Sequence, residues 1–165
     1  MLDRYISACA DVAGDDGLCH GQTDEDGYHR IQVQVPKFDP EMVKAEWKSL
    51  PSNLMHEILS FPNKIEAANQ FIHATFEYAA TPPDYADGFE ERQYQYAKLG
   101  IDAYELACKL RDHAGLPSKP QSDWSAEDYL RDRIAKIKNL RTEREAKHPE
   151  MLNTLAESKA RDLLP

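Results

Sequence analysis

The sequence predicts an all-α protein, an up-and-down antiparallel helical bundle with three long helices, short terminal helices and one extended N-terminal arm. Three observations predict this class. Apolar residues recur at spacings of three and four along most of the chain, which is the period of a helix. Only one short stretch alternates with the period of a strand, and glycine and proline separate helical segments of similar length. The 165 residues are enough for one domain with its own core.

The N-terminal part of the chain, residues 1–38, divides into a helix, a loop and an arm. Over residues 1–13 the apolar side chains fall on one face of a helix, which Gly14 ends. Residues 14–38 begin as an acidic, glycine-rich loop and continue as the arm, in which residues 31–35 alternate apolar and polar side chains. Because the sequence contains no second alternating run, we expect the arm to lie over helices rather than within a sheet.

Residues 39–115 are predicted to form the core helical hairpin. Asp39 and Pro40 match an N-cap followed by proline at the first helical position, and they open a short helix that ends near Pro51. The apolar stripe of this short helix consists of Val43, Trp47 and Leu50.

A long helix is predicted over residues 52–80, although Pro62 lies inside it. The apolar stripe keeps one helical phase on both sides of the proline, through Leu54, Ile58, Phe61, Ile65, Ala68, Ile72, Phe76 and Ala79. Two independent helices would have no reason to share a register. We therefore expect one kinked helix, in which packing offsets a proline cost of about 3 kcal/mol. The alternative is a new helix that begins at Pro62.

Residues 89–114 are predicted to form the central helix, because two separate faces of this segment are apolar. One face carries Ala97, Ile101, Tyr104 and Cys108, and the other carries Tyr96, Leu99, Ala103, Leu106 and Leu110. Glycine within a helix costs about 1 kcal/mol relative to alanine. Gly100 therefore indicates a close approach by another helix.

Residues 123–165 are predicted to form charged C-terminal helices. The first covers residues 125–147 and has a narrow apolar stripe of Leu130, Ile134, Ile137 and then Leu140 or Arg141. We expect His148 and Pro149 to interrupt this helix before a short final one. The narrow stripe leaves open a homodimer that completes its core through this helix.

Charge is distributed unevenly along the chain. The net charge is −9, and residues 1–115 hold 20 acidic and 10 basic residues. Because nucleic-acid-binding domains carry a basic surplus, we expect no nucleic-acid partner. A local basic patch predicts a surface for an anionic partner or an anionic membrane; it consists of Arg131, Arg133, Lys136, Lys138 and Arg141. The alternative interpretation is the solvated face of a bundle helix.

The sequence contains no recognisable set of catalytic residues, so it predicts no catalytic residue, metal site or cofactor. It has neither the serine turn of hydrolases nor a glycine-rich phosphate loop. Glu145 and His148 form one E-x-x-H pair, whereas a helical di-iron site needs two such pairs and two further glutamates. Cys19-His20 with His29 lacks the ligand spacing of a zinc site. Residues 22–33 lack the first and last ligands of a calcium loop.

Three stretches of the sequence resemble a bacterial protein family. They are residues 59–63 (LSFPN), residues 92–100 (RQYQYAKLG), and Leu110-Arg111 with residues 115–117 (GLP). Together they resemble the cytoplasmic part of an uncharacterised family whose full-length members often begin with one membrane-spanning helix. This resemblance implies no catalytic residues. The chain departs from the family in lacking a hydrophobic leader, so we expect membrane attachment only if the chain continues upstream.

We therefore expect a non-enzymatic helical interaction or scaffold domain in the cytoplasm, tethered at the inner face of the membrane if the resemblance holds. The three cysteines, an odd and sparse set, fit reduced thiols in that compartment. A protein partner or a second copy of the chain is the expected ligand, and no small-molecule substrate is identified. The alternative is a ligand-binding or catalytic bundle with a site in the core, for which the candidates are His56, His73, Tyr104 and Glu66.

Overall fold

A computed structural model describes residues 1–18, 29–44, 46–82, 84–117 and 124–161. These ranges contain four α-helices and no strand, which confirms the all-α class. The helices are α1 (Leu2–Gly14), α2 (Ser52–Tyr78), α3 (Ala86–His113) and α4 (Ala126–Arg161). Two 3₁₀ turns, Pro40–Met42 and Trp47–Ser49, lie between α1 and α2.

Helix α3 is the central element, as its two apolar faces predict. It packs against α1, α2 and α4, and α1 also touches α4. Gly100 lies where α1, α3 and α4 meet, because a Cβ atom at this position would be 2.6 Å from Leu130 Cδ1 and 3.0 Å from Cys9 Cβ. The close approach predicted from this glycine is therefore confirmed.

Helix α1 buries the face that the sequence predicts. Every apolar residue of the predicted stripe is buried, and Cys9, Val12 and Ala13 have no exposed surface. The helix is only 13 residues long, which is marginal for an isolated helix in water. Its stability must therefore come from packing against α3.

Helix α2 is continuous through Pro62, so the alternative of a new helix beginning at this proline is wrong. The first six residues of the predicted stripe, from Leu54 to Ile72, are buried, and Phe76 is partly buried. Burial of this stripe on both sides of Pro62 compensates for the backbone hydrogen bond that proline cannot make.

The predicted short helix before Pro51 is wrong, because two separate 3₁₀ turns occupy this part of the chain. Asp39 does act as an N-cap, since its carboxylate accepts a 3.0 Å hydrogen bond from the backbone N–H of Glu41. A helix this short has little stability of its own. The two turns instead bring Pro40, Trp47 and Leu50 separately against the rest of the molecule.

The predicted interruption of the C-terminal helix is also wrong, because α4 continues through Pro149 to Arg161. Proline removes one hydrogen bond and crowds the preceding turn, yet the residues around it are mostly good helix formers. The narrow stripe of α4 is used within the chain, since Leu130 and Ile137 are buried. A homodimer through this stripe would require α4 to separate from its neighbours.

The arm, residues 29–38, is present but forms no strand. Of its alternating apolar residues only Val33 is partly buried, while Ile31 and Val35 are 49% and 43% exposed. The arm is held by hydrogen bonds to a buried side chain rather than by a partner strand. No helix in the described ranges combines the length and the apolar character needed to cross a membrane.

Candidate functional site

A groove of about 710 Å³ lies between the arm and α2, and we call it the arm–α2 groove. Residues 35–41 form one wall. The α2 side is formed by Leu59, Pro62, Ile65, Glu66 and Asn69. Val35 and Leu59, each 43% exposed, place apolar side chains in reach of solvent on the two sides of the groove.

The wall formed by the arm is fixed to the core by Phe38. This side chain is buried and makes edge-to-face contacts with Phe61 of α2 and Tyr5 of α1, with ring centroids 5.0 and 5.4 Å away. Aromatic pairs in this geometry contribute about 0.5–1.5 kcal/mol beyond the area that they bury. The groove therefore has one wall anchored in the core and one wall on a continuous helix.

The start of the arm is fixed by a buried ion pair between Asp15 and Arg92. The Arg92 Nη1 atom lies 2.8 Å from Asp15 Oδ2, and the two side chains are 2% and 1% exposed. The same oxygen accepts hydrogen bonds from the backbone N–H groups of Gln32 and Val33, at 3.0 and 2.9 Å. Arg92 also donates to the Val33 carbonyl. The cluster therefore links α1, the arm and α3.

The groove offers an amide group at its α2 side. Asn69 accepts a 2.7 Å hydrogen bond from the Tyr96 hydroxyl through its amide oxygen, so its NH₂ group remains as a donor. The α2 side thus presents this donor beside apolar side chains.

The rim of the groove is acidic. Three exposed carboxylates, those of Asp39, Glu41 and Glu66, line it together with one exposed lysine, Lys37. Glu66 accepts a hydrogen bond from Gln70, and Asp39 caps the first 3₁₀ turn. Among the residues that the structure describes, no cation forms an ion pair with these three carboxylates.

The five residues of the predicted basic patch do not form one free surface. Arg141 binds Glu90 and Glu91 at 2.8 and 2.7 Å, and Arg133 donates a 2.9 Å hydrogen bond to the carbonyl of Ala13. Both arginines therefore hold α4 against the bundle.

The other members of the patch are exposed. Arg131 pairs with Glu127 on the same helix at 2.9 Å. Lys136 lines a second cleft, of about 300 Å³, where Arg133 also lies, with Asp16, Asp84 and Glu90. An anionic partner at this helix would therefore depend on Lys136 and Lys138, within an acidic neighbourhood.

The four residues proposed for a site in the core do not converge. His56, His73 and Glu66 are exposed, and His73 lies 3.6 Å from Glu77 on its own helix. Tyr104 is half-buried; its hydrogen bond with Glu127, with a smaller contribution from desolvation, raises the pKa of the phenol. Glu66 lines the arm–α2 groove at the surface of the molecule.

The motifs considered for metals give no site within the part of the chain that is described. No group of three His, Cys, Asp or Glu side chains there could hold a metal ion. His29 lies with its Nδ1 atom 3.2 Å from the Asp16 carbonyl. Glu145 is exposed on α4, whereas Cys19, His20, residues 22–28 and the His148 side chain lie outside what the structure describes.

Tyr5 and the buried titratable side chains around it are held in their neutral forms. Burial raises the pKa of Cys9 to about 12 and the pKa of Tyr96 to about 12, and it also raises the pKa of Tyr5. A thiol with such a pKa is protonated at neutral pH, and the thiolate is the reactive species. These groups therefore act as core packing rather than as nucleophiles.

Several residues of the groove and its supports were not identified from the sequence. Asp15 and Arg92 are 77 positions apart, and no local pattern connects them. Leu59 did carry a signal, because it directly follows the stripe residue Ile58 and so falls off the buried phase. An apolar residue outside the stripe indicates an exposed apolar position.

Comparison with known proteins adds no relative: no protein-family model, curated protein or solved structure matches this chain significantly. The resemblance to a bacterial family therefore stays a prediction.

Proposed function

We propose that this up-and-down antiparallel bundle is a non-enzymatic protein-binding module, and that the arm–α2 groove is its binding surface. The observation that carries the proposal is the pair of apolar side chains, Val35 and Leu59, each 43% exposed on opposite sides of the groove. Folded chains bury most large apolar side chains, so apolar surface rimmed by polar residues is typical of interaction sites.

The supports of the groove favour a preformed site. Phe38 and the Asp15–Arg92 pair fix the arm at two points, so a ligand would not need to order this wall. Binding to a preorganised surface avoids part of the entropic cost of association. A short peptide can therefore bind here with useful affinity.

Selection of random peptides displayed on phage tests this proposal without assuming a partner. We expect peptides selected on the folded chain to shift the backbone amide NMR signals of residues 35–41 and 59–69. Leu59→Glu should weaken their binding by about tenfold or more, because it puts a charge on the apolar surface. Leu140→Glu is the matched control, since Leu140 is equally exposed but lies on α4.

Two outcomes would overturn the proposal. In the first, no peptide is enriched over an empty support. In the second, the enriched peptides bind the Leu59→Glu variant as well as they bind the unmodified chain. Circular dichroism of both variants confirms that each is folded before binding is compared.

A further inference from the structure

We infer that the arm–α2 groove selects an amphipathic peptide segment that carries lysine or arginine beside its apolar residues. This inference rests on the proposed binding function and names the chemistry of the partner. Its basis is the combination, in one groove, of an apolar surface and an acidic rim.

The rim determines the sign of the partner's charge. Asp39, Glu41 and Glu66 outnumber Lys37, and Asp39 and Glu66 belong to opposite sides of the groove. A peptide lying between them therefore meets carboxylates on both sides. Basic residues in the peptide gain attraction, whereas acidic residues in the same places are repelled. The same field disfavours phosphate groups of lipids or nucleic acids at this groove.

The apolar surface of the groove determines that the peptide also carries apolar side chains. Val35, Leu59 and Ile65 lie on the two sides of the groove, and only the first two are substantially exposed. An amphipathic segment can place apolar side chains between them and keep its charged side chains at the rim. Helical ligands of protein grooves use apolar residues spaced three or four positions apart in this way.

Two fluorescein-labelled synthetic peptides test the inference by fluorescence anisotropy. Both have leucine at the same helical spacing, and they carry lysine or glutamine, respectively, at the polar positions. We expect the lysine peptide to bind at least about tenfold more tightly. Its affinity should fall between about 0.01 M and about 0.1 M salt, where the Debye length decreases from about 30 to about 10 Å.

Charge-neutralising variants localise the effect. Glu41→Gln combined with Glu66→Gln should weaken lysine-peptide binding by about tenfold and reduce its salt dependence. The control, Asp112→Asn combined with Glu143→Gln, makes the same change in net charge at exposed positions away from the groove, and should leave the affinity within about twofold. Equal losses in the two double variants would overturn the inference, because general attraction to an acidic protein would then explain the binding.

The outcomes also separate this inference from the proposed function. If both peptides bind equally and Leu59→Glu abolishes both interactions, the groove binds peptides but the basic preference is wrong. If the Leu59→Glu variant binds both peptides as well as the unmodified chain does, neither peptide uses the groove. That second result contradicts the inference. The phage selection described above then tests the proposed function independently.

Discussion

At the scale of single residues, the Asp15–Arg92 ion pair is the contact on which the arm depends. Both side chains are almost fully buried, and Asp15 accepts four hydrogen bonds: one from Arg92 and three from backbone N–H groups, those of Gly17, Gln32 and Val33. A buried ion pair with satisfied partners need not stabilise a fold more than apolar residues would. Removal of one member is costly, because the other charge stays buried.

Arg92→Met should therefore destabilise the chain strongly. The variant keeps most of the side-chain volume but leaves the Asp15 carboxylate without its cation. We expect the free energy of unfolding to fall by about 3–5 kcal/mol. Urea denaturation followed by circular dichroism measures this change.

Arg131→Met is the matched control, because the exposed Arg131 forms an ion pair with the half-buried Glu127 on the same helix. Its loss should cost less than about 1 kcal/mol. Similar losses in the two variants would show that the buried pair has no special role in the fold.

At the scale of elements, ion pairs attach α4 to the first turns of α3. Arg141 binds Glu90 and Glu91 and lies 4.6 Å from the centre of the Tyr94 ring. Arg144 binds Glu90 and Asp87. Desolvation by itself would raise the pKa of Glu90, but the hydrogen bonds from the two arginines outweigh it and lower the pKa below its usual value.

This shift predicts the pH dependence of the attachment. Because the pKa of Glu90 is lower in the folded chain, ionised Glu90 stabilises the fold above the unfolded pKa of about 4.3, and the effect is lost as the pH falls through the folded pKa. Glu90→Gln should therefore lower stability by about 1 kcal/mol at neutral pH, and the difference should shrink below about pH 4.

Chemical denaturation of both proteins across this pH range measures the difference. Glu143→Gln serves as the control, since Glu143 is an exposed carboxylate of α4 outside this network. A Glu90→Gln effect that stays constant down to the most acidic pH would contradict the assignment.

The helices themselves could largely be predicted, because helical phase is a local property of the sequence. The stripe across Pro62 predicted the continuity of α2, and the two apolar faces of α3 predicted its central position. The interruption predicted at Pro149 was wrong, because proline weakens a helix without always ending it. The groove could not be predicted, because the alternation of residues 31–35 predicted only an arm that lies over helices, whereas Val35 lies at the groove with 43% exposure.

The ion pairs could not be predicted for a different reason. Residues 1–115 contain 20 acidic and 10 basic side chains, and tertiary packing decides which of them meet. Asp15 follows a helix-ending glycine and resembles an ordinary loop residue. Its burial depends on α3 reaching it from a distant part of the chain.

At the scale of the whole molecule, Gly100 allows three helices to meet. The Leu130 and Cys9 side chains that contact this position have no exposed surface, so neither can move aside into solvent. Alanine favours a helix over glycine by about 1 kcal/mol, whereas overpacking a core costs about 1–3 kcal/mol. The steric cost of adding a methyl group at Gly100 therefore exceeds the gain in helix propensity.

Gly100→Ala should lower the free energy of unfolding by about 1–2 kcal/mol. In a Leu130→Ala background, which is itself destabilised by about 2–5 kcal/mol, the same change should be neutral or stabilising, because space for the methyl group has been created. Thermal and urea unfolding of the four proteins completes this double-mutant cycle. Additive effects would indicate that the three helices do not meet closely at Gly100.

The packing of α1 against α3 has a consequence for the chain as it is synthesised. Helix α1 spans Leu2–Gly14 and its main partner spans Ala86–His113, so the ribosome makes about 100 further residues before that partner is complete. At a synthesis rate of about 5–20 residues per second, α3 cannot cover the apolar face of α1 for roughly 5–20 s. During that interval the nascent chain exposes this apolar face, so the order of synthesis delays the burial of part of the core.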